Sequence, residues 1–433
     1  MAREFKLPYG RTYQTFSLPD DRAVEWIAPR DVSAAPDPAQ LARRALATPI
    51  GDVRMADFAG ASSAMVAIAD KTRPIPLAAL YPLLNVLEDM GVAHVTLLIA
   101  TGAHAPMTPN EFAKILPDDI LRRYPVIAHN CDAQNLVCRG ETSRGTPVWV
   151  NREWSEADLR IVVGNIEPHQ FMGFSGGVKG AAIGLAGRAT INHNHAMMSD
   201  PRAALGRYDD NPARQDVEEI GRLIGVHIAL NTILNRNKRI VHVLAGEPVA
   251  VMQTGIPLVR DLVEIPVSAP CDLVIASPGG HPKDINLYQA QKALAHAVRI
   301  AKQGGTVILV AACTEGTGSH RYESWLSGMT TQEEVLERFA REDFRLGPHK
   351  AFLIARDAAR VRVQVVSQMP ADLVRRLLLT PAASLDEALA EALAGLPSDA
   401  RIGIMPSANA TVPVLSQVNS APRKAHHHAT DQS

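Results

Sequence analysis

The chain has 433 residues, 46% of them hydrophobic, and sets 44 basic against 45 acidic side chains for a formal net charge of −1. Such a length supplies cores for two or three domains, and the balance offers no basic excess to attract nucleic acid or an anionic membrane. Apolar runs such as Thr306 to Ala312 are strand-length, far short of the roughly 18 residues a membrane helix needs, and the opening MAREFKLPYG lacks the apolar core of a secretory signal.

In chain order, Ser63 to Ala69 (SAMVAIA) reads as a buried strand ending at Asp70. Leu77 to Met90 has helical apolar spacing and stops before Gly91. Val95 to Ala100 is a second strand, running into the loop TGAH, and Leu159 to Val163 a third, running into NIEPH. Continuous apolar strands separated by helices point to parallel βαβ units, and ligands sit beyond the carboxyl ends of such strands. Asp70, Arg73, His104 and His169 all fall there. Asn211-Pro212 marks a helix start, and Ile228 to Val243, broken by NRNKR, reads as a β-hairpin. A second alternation begins at Cys271: strand and turn in CDLVIASPGG, helix from Asn286 to Gln303 closed by Gly304, then the strand Thr306 to Ala312. Thr331 with Glu334 and Ser384 with Glu387 are capping-box signatures for two more helices. Cys131, Cys138, Cys271 and Cys313 form no CxxC pair and read as reduced structural thiols, consistent with a cytoplasmic protein.

Five stretches carry chemistry. In DKTRPIP, Arg73 either pairs with an acid or offers a fork for a carboxylate. ATGAHAPMT carries His104, and PHQFMGFSGGVKG carries His169, Ser175, Gly176, Gly177 and Lys179. An unperturbed imidazole titrates near neutrality, so each of the two histidines could serve as an acid or a base. The glycine turn lacks P-loop spacing but could present amides to an anion. NHNH gives His193 and His195, which share a face on a strand and diverge by about 200° on a helix. A lone imidazole there either caps a helix or completes the coordination of a metal carried by a cofactor. In GGHPKDINLYQAQKA, Asp284 is placed to cap the following helix, and Gln289 and Lys292 share a face at i and i+3.

Taken together, DKTRP, ATGAH, PHQFMGFSGGVK with the following NH dipeptide, and GGHPKDINLYQAQK resemble the nickel-dependent lactate racemase family, in family order from roughly Leu7 to Leu415. The resemblance implies a nickel-pincer nucleotide attached through a thioamide bond to Lys179, with His195 as the protein ligand completing a square-planar nickel. It implies His104 and His169 as paired acid and base, Arg73, Gln289 and Lys292 as binders of the substrate carboxylate, Asp70 as a support near the cofactor, and Ser175, Gly176 and Gly177 as nucleotide contacts. The implied activity is racemisation or epimerisation at C2 of a 2-hydroxy acid by proton-coupled hydride transfer through a 2-keto acid, after maturation by cofactor-synthesis enzymes. One departure is GAAIGLAG after the lysine, where many relatives carry a proline before the second glycine.

The implied fold is α/β: two α/β domains with parallel βαβ units and an active-site cleft between them. We expect a cofactor-binding domain over 1–266 with segment 402–420 packing back on it, a substrate-closing domain over 270–400, and a flexible tail over 421–433 whose histidines carry no catalytic weight. Two other readings are a non-catalytic holder of the nickel cofactor and a nicotinamide dehydrogenase, though no GxGxxG follows a strand.

Overall fold

The computed structural model describes residues 2–342, 344, 345 and 347–416; the expected tail 421–433 lies outside the described residues. Along the chain, β1 (Ala2–Tyr9) and β2 (Thr12–Pro19) form a hairpin, followed by β3 (Ala23–Trp26), β4 (Ser63–Ala69), β5 (His94–Ala100) and β6 (Val126–Ala128). A small hairpin, β7 (Val137–Glu141) and β8 (Pro147–Val150), precedes β9 (Leu159–Asn165) and the short pair β10 (Pro168–His169) and β11 (Gly173–Phe174). Then come β12 (Ile228–Leu234), β13 (Ile240–Gly246), β14 (Glu264–Val267), β15 (Cys271–Ala276), β16 (Ala301–Val310), β17 (Arg362–Val366), β18 (Thr380–Ala382), β19 (Arg401–Met405) and β20 (Val412–Leu415).

Two six-stranded sheets organise these elements, in the orders β13-β12-β9-β4-β5-β6 and β18-β17-β16-β15-β19-β3. All pairings within them are parallel except the hairpin β12–β13, which matches the sequence expectation. The apolar strands are buried on both faces because helices cover both. In β4, Ala64, Val66 and Ile68 enter one core, with the helix Leu77–Asp89, while Met65 and Ala67 face another. β15 divides the same way, Leu273 and Ile275 on one side, Val274 and Ala276 on the other. The largest core contains Val162 and Ala181 from the first sheet's side and Val274 and Leu309 from the second's, so the two α/β domains share continuous apolar packing.

The strand orders correct the expected boundaries. β3 pairs with β19, Ala23 opposite Arg401, and Leu7, Phe16 and Leu18 of the first hairpin pack with Leu273, Ile275 and Ile402. The first 26 residues therefore belong with the second sheet. β19 belongs there too, so residues 402–405 pair within the second sheet, while β20 pairs with β14 in a separate two-stranded sheet. The helix expected to run to Gln303 is Leu287–Ala297, because Ala301 already pairs with Cys271 and the Ile300 carbonyl accepts from Cys271 N (2.7 Å). Asn286, not Asp284, caps it, accepting from Gln289 N at 3.1 Å. Buried Asp284 instead accepts from Gly10 N (2.6 Å) and Ala312 N (3.1 Å), tying the first hairpin's turn to the end of β16.

Candidate active site

In the first sheet the chain runs outward from β4 through β5 to β6, then resumes at β9 on the other side of β4. Ligands bind at such switch points, beyond the carboxyl ends of the strands. Asp70 and Arg73 follow β4, His104 follows β5 and His169 follows β9, so the two histidines flank the end of β4 from its two neighbours. The second sheet has its own switch point between β15 and β19, and the loop after β15 leads to the helix carrying Gln289 and Lys292.

Asp70, 5% exposed, accepts His104 Nδ1 at 2.7 Å and Thr72 N at 3.1 Å. Burial pushes its carboxyl up, but the hydrogen bonds from His104 and Thr72 outweigh that and hold it below the usual carboxylate value. With Nδ1 committed to a carboxylate, His104 is left with Nε2 for proton transfer. Arg73 is exposed and, among the described residues, makes no ion pair.

The segment after β9 forms a compact turn. Met172 N donates to His169 Nδ1 at 3.3 Å, so the neutral ring carries its proton on Nε2, opposite to His104. His169 lies well below the ordinary histidine range, through burial first and then repulsion from Lys179 and Arg73. The Ser175 hydroxyl and Gly177 N–H are bonded within the protein. The Ser175 hydroxyl accepts from Glu167 N and donates to Asn165 O, both at 2.9 Å, and Gly177 N donates to Asn231 Oδ1 at 2.7 Å. Gly176 and Gly177 have φ of +86° and +57°, and a Cβ on Gly177 would meet Met252 Cγ at 2.7 Å. Ser175, Gly176 and Gly177 therefore shape the turn that presents Lys179. Arg214, fully buried, supports the same turn by donating to Phe174 O (3.0 Å) and Gly176 O (3.2 Å) while paired with Glu218. Lys179 opens the short helix Lys179–Ala182, and burial, then Arg73 and Arg214, push its ammonium well below the ordinary lysine range.

NHNH lies on the helix Arg188–Ala196, so its two histidines diverge. His193 is exposed beside Arg144 O (3.2 Å), while His195 turns inward. Asn194 fixes the ring of His195. Its amide nitrogen donates to Ala213 O (2.9 Å) and Asp216 Oδ2 (2.8 Å), so its oxygen is the atom facing His195 Nδ1 at 3.1 Å. Nδ1 must then carry the proton, leaving the Nε2 lone pair free. Burial, then Lys179, hold His195 down to about 3. Phe171 stands edge-on between His169 (4.9 Å) and His195 (5.1 Å).

From the second domain, Lys292 Nζ donates to Gln289 Oε1 at 2.8 Å, and burial, then Arg73, bring Lys292 down to about 8. Phe344 stacks edge-on against His195 at 5.6 Å, and Lys350 reaches Gln170 Oε1 at 3.3 Å. Lys179, Arg73, His195 and Lys292, which come from both domains, are thus all near enough to His169 to disfavour its protonation. Among the described residues no group of three His, Cys, Asp or Glu side chains converges as a metal site. Sequence reasoning missed Asn194, Asp216, Arg214, Asn231 and Lys350. The NH dipeptide was visible, but the burial that gives each of these its role has no local signature.

Known proteins resemble the chain along most of its length. The family model described as the lactate racemase N-terminal domain matches residues 9–206, and that of the lactate racemase C-terminal domain matches residues 267–412. A lactate racemase of Thermoanaerobacterium thermosaccharolyticum is 29% identical over 93% of this chain and 97% of its own. Another, of Lactiplantibacillus plantarum, is 30% identical over 84% of this chain and 88% of its own. The solved structure of the T. thermosaccharolyticum lactate racemase apoprotein superposes with a TM-score of 0.88 at 27% identity, covering 95% of this chain and all of that one. A Thermotoga maritima protein shares the fold at a TM-score of 0.64 and 18% identity, over 89% of this chain and all of that one. The chain belongs to the lactate racemase family, whose members are isomerases.

Proposed function

We propose that this protein inverts C2 of a 2-hydroxy acid, with lactate, the substrate in its relatives' names, as the reference compound. The observation that carries the reading is the pair His104 and His169 on either side of the end of β4, in opposite tautomers, beside a group of cations.

The donors fit a nickel-pincer nucleotide. Lys179, held toward its neutral amine, is suited to an amide-type linkage, and His195 offers a free Nε2 whose ring is fixed from behind. Lys179 would carry the thioamide link and His195 would ligate the nickel. When bound, the group supplies a reversible acceptor for the C2 hydrogen with its electron pair.

The chain's own residues supply the rest. Arg73, Gln289 and Lys292 hold the carboxylate. His104 accepts the hydroxyl proton at Nε2 on one face, while Asp70 keeps the ring oriented and balances its charge. His169 serves the other face, and for it to return a proton its ring must first be charged. A bound carboxylate favours this by offsetting the Arg73 and Lys292 charges that oppose it. Closing the second domain over the site would exclude water.

The test is production with the cofactor-synthesis enzymes, followed by intact mass, nickel content and chiral analysis of lactate. We expect a mass increment on the Lys179 peptide, about one nickel per chain and inversion, all lost in Lys179→Ala. An alanine variant that inverts substrate as well as the wild type sinks the proposal.

A further inference from the structure

Lys350 is a buried cation near the site that the mechanism leaves unused and, unlike Arg214, it has no acid beside it among the described residues. It lies on the helix Pro348–Ala358 and is 5% exposed. Among the described residues it has no carboxylate partner. Its ammonium donates to Gln170 Oε1 at 3.3 Å and stands 4.4 Å above the ring of Tyr288. Both contacts belong to the site: Gln170 follows His169 and Tyr288 precedes Gln289. Lys292 is close enough to repel it. Gln170 adds a second donor, because its Nε2 is buried without a partner and a flip of the amide would turn that nitrogen toward the ammonium.

A buried ammonium and a buried amide N–H, both short of acceptors, are costly unless an anion joins them. The substrate's C1 carboxylate already has Arg73, Gln289 and Lys292. Building on the function proposed above, we propose that Lys350, with Gln170 Nε2, binds a second anionic group on the substrate, so that the preferred substrate is a 2-hydroxy dicarboxylic acid and not one with an aliphatic C3. The π face of Tyr288 holds the ammonium in place, and a methyl group there would leave both donors unpaired. A site built to bond a substrate group discriminates strongly against the analogue lacking it.

The experiment compares kcat/KM of the nickel-loaded enzyme on lactate, malate and 2-hydroxyglutarate, for wild type, Lys350→Met and Lys350→Arg. We expect wild type to favour a dicarboxylate, and Met to reduce the dicarboxylate-to-lactate ratio by about 10- to 100-fold, chiefly through KM, as loss of a bond to a charged group does. Arg is expected to restore part of the ratio. A wild type with no preference for dicarboxylates, or a ratio unchanged in the Met variant, overturns the inference. So does a Met variant that loads less nickel, since Lys350 would then serve the cofactor. Loaded wild type that inverts none of the three acids instead removes the parent reading; inversion of lactate alone removes only this one.

Discussion

Asn194→Ala tests whether the hydrogen bonds behind His195 govern metal retention. The wild-type amide is fixed by two acceptors, Ala213 O at 2.9 Å and Asp216 Oδ2 at 2.8 Å, and so dictates the tautomer of His195. Alanine frees the imidazole to rotate and to place its proton on Nε2, the nitrogen a metal needs. Loss of such a partner typically weakens metal affinity about 10- to 100-fold, or ~1.4–2.8 kcal/mol. A separate stability loss of ~0.5–1.5 kcal/mol follows from deleting the buried bond to Ala213 O, a carbonyl that keeps its own place in the helix Pro212–Leu223. Asp216 is less affected, since Thr142 and Thr146 still donate to it. The assay is nickel release from loaded protein into excess chelator, followed by elemental analysis well below the melting temperature. Asp216→Asn, which leaves the Ala213 anchor in place, is expected to accelerate release less. If Asn194→Ala releases nickel at the wild-type rate, the argument from tautomer to metal retention is wrong.

Two further perturbations probe the scaffold. Arg214→Met strands the Glu218 carboxylate, 4% exposed, and should destabilise the protein by ~3–5 kcal/mol in chemical denaturation, whereas adding Glu218→Gln should recover much of that; a loss under ~1 kcal/mol would contradict it. His296 is buried, bonded to Thr411 O at 2.7 Å, and lowered by burial from 6.5 to about 4. The unfolded chain therefore takes up this proton near 6.5 while the folded chain resists until about 4, so its contribution is intact above 6.5 and is lost as pH falls toward 4, by up to ~1.4 kcal/mol per pH unit. Denaturation midpoints of His296→Gln should fall less steeply than wild type across that window; parallel slopes would refute the assignment.

Local pattern in the sequence was enough to place β4 to the residue and to anticipate the β12–β13 hairpin, because apolar runs and polar turns are properties of neighbouring residues. The motif blocks likewise singled out Asp70, His104, His169 and Lys179, which follow strands or open a helix, and His195, which lies in the last turn of its helix. Long-range pairing was hidden. Nothing in AVEW announces a partner at Arg401. Val298 and Ile300 fit a helical stripe as well as the turn into a strand that they form. Asp284 looked like a cap because its spacing suits one, yet its oxygen satisfies Gly10 N and Ala312 N, donors distant in sequence. Ser175 and Gly177 looked like an open anion cradle because nothing nearby reveals that Glu167, Asn165 and Asn231 occupy their hydrogen-bonding groups. Lys350 sits in HKAFLIA, where a lysine reads as the polar edge of a helix until its burial is known.

The pairing of β3 with β19 joins residues separated by nearly the whole chain, Ala23 with Arg401. Loop closure over such a span is slow, so the second sheet must wait, during synthesis, for its fifth strand before the sixth can dock. Trimming the amino terminus would consequently injure the half of the molecule encoded last. The polypeptide also leaves the second sheet after β3 and re-enters it at β15, with β20 laid back along β14. The two crossings lie side by side where Ser268 Oγ donates to Glu25 Oε2 at 2.9 Å, so any opening of the domains would turn about that line. Lys292 and Lys350 would then approach His169 and Lys179 along one arc, giving the cations of one half a reproducible path to the imidazoles of the other.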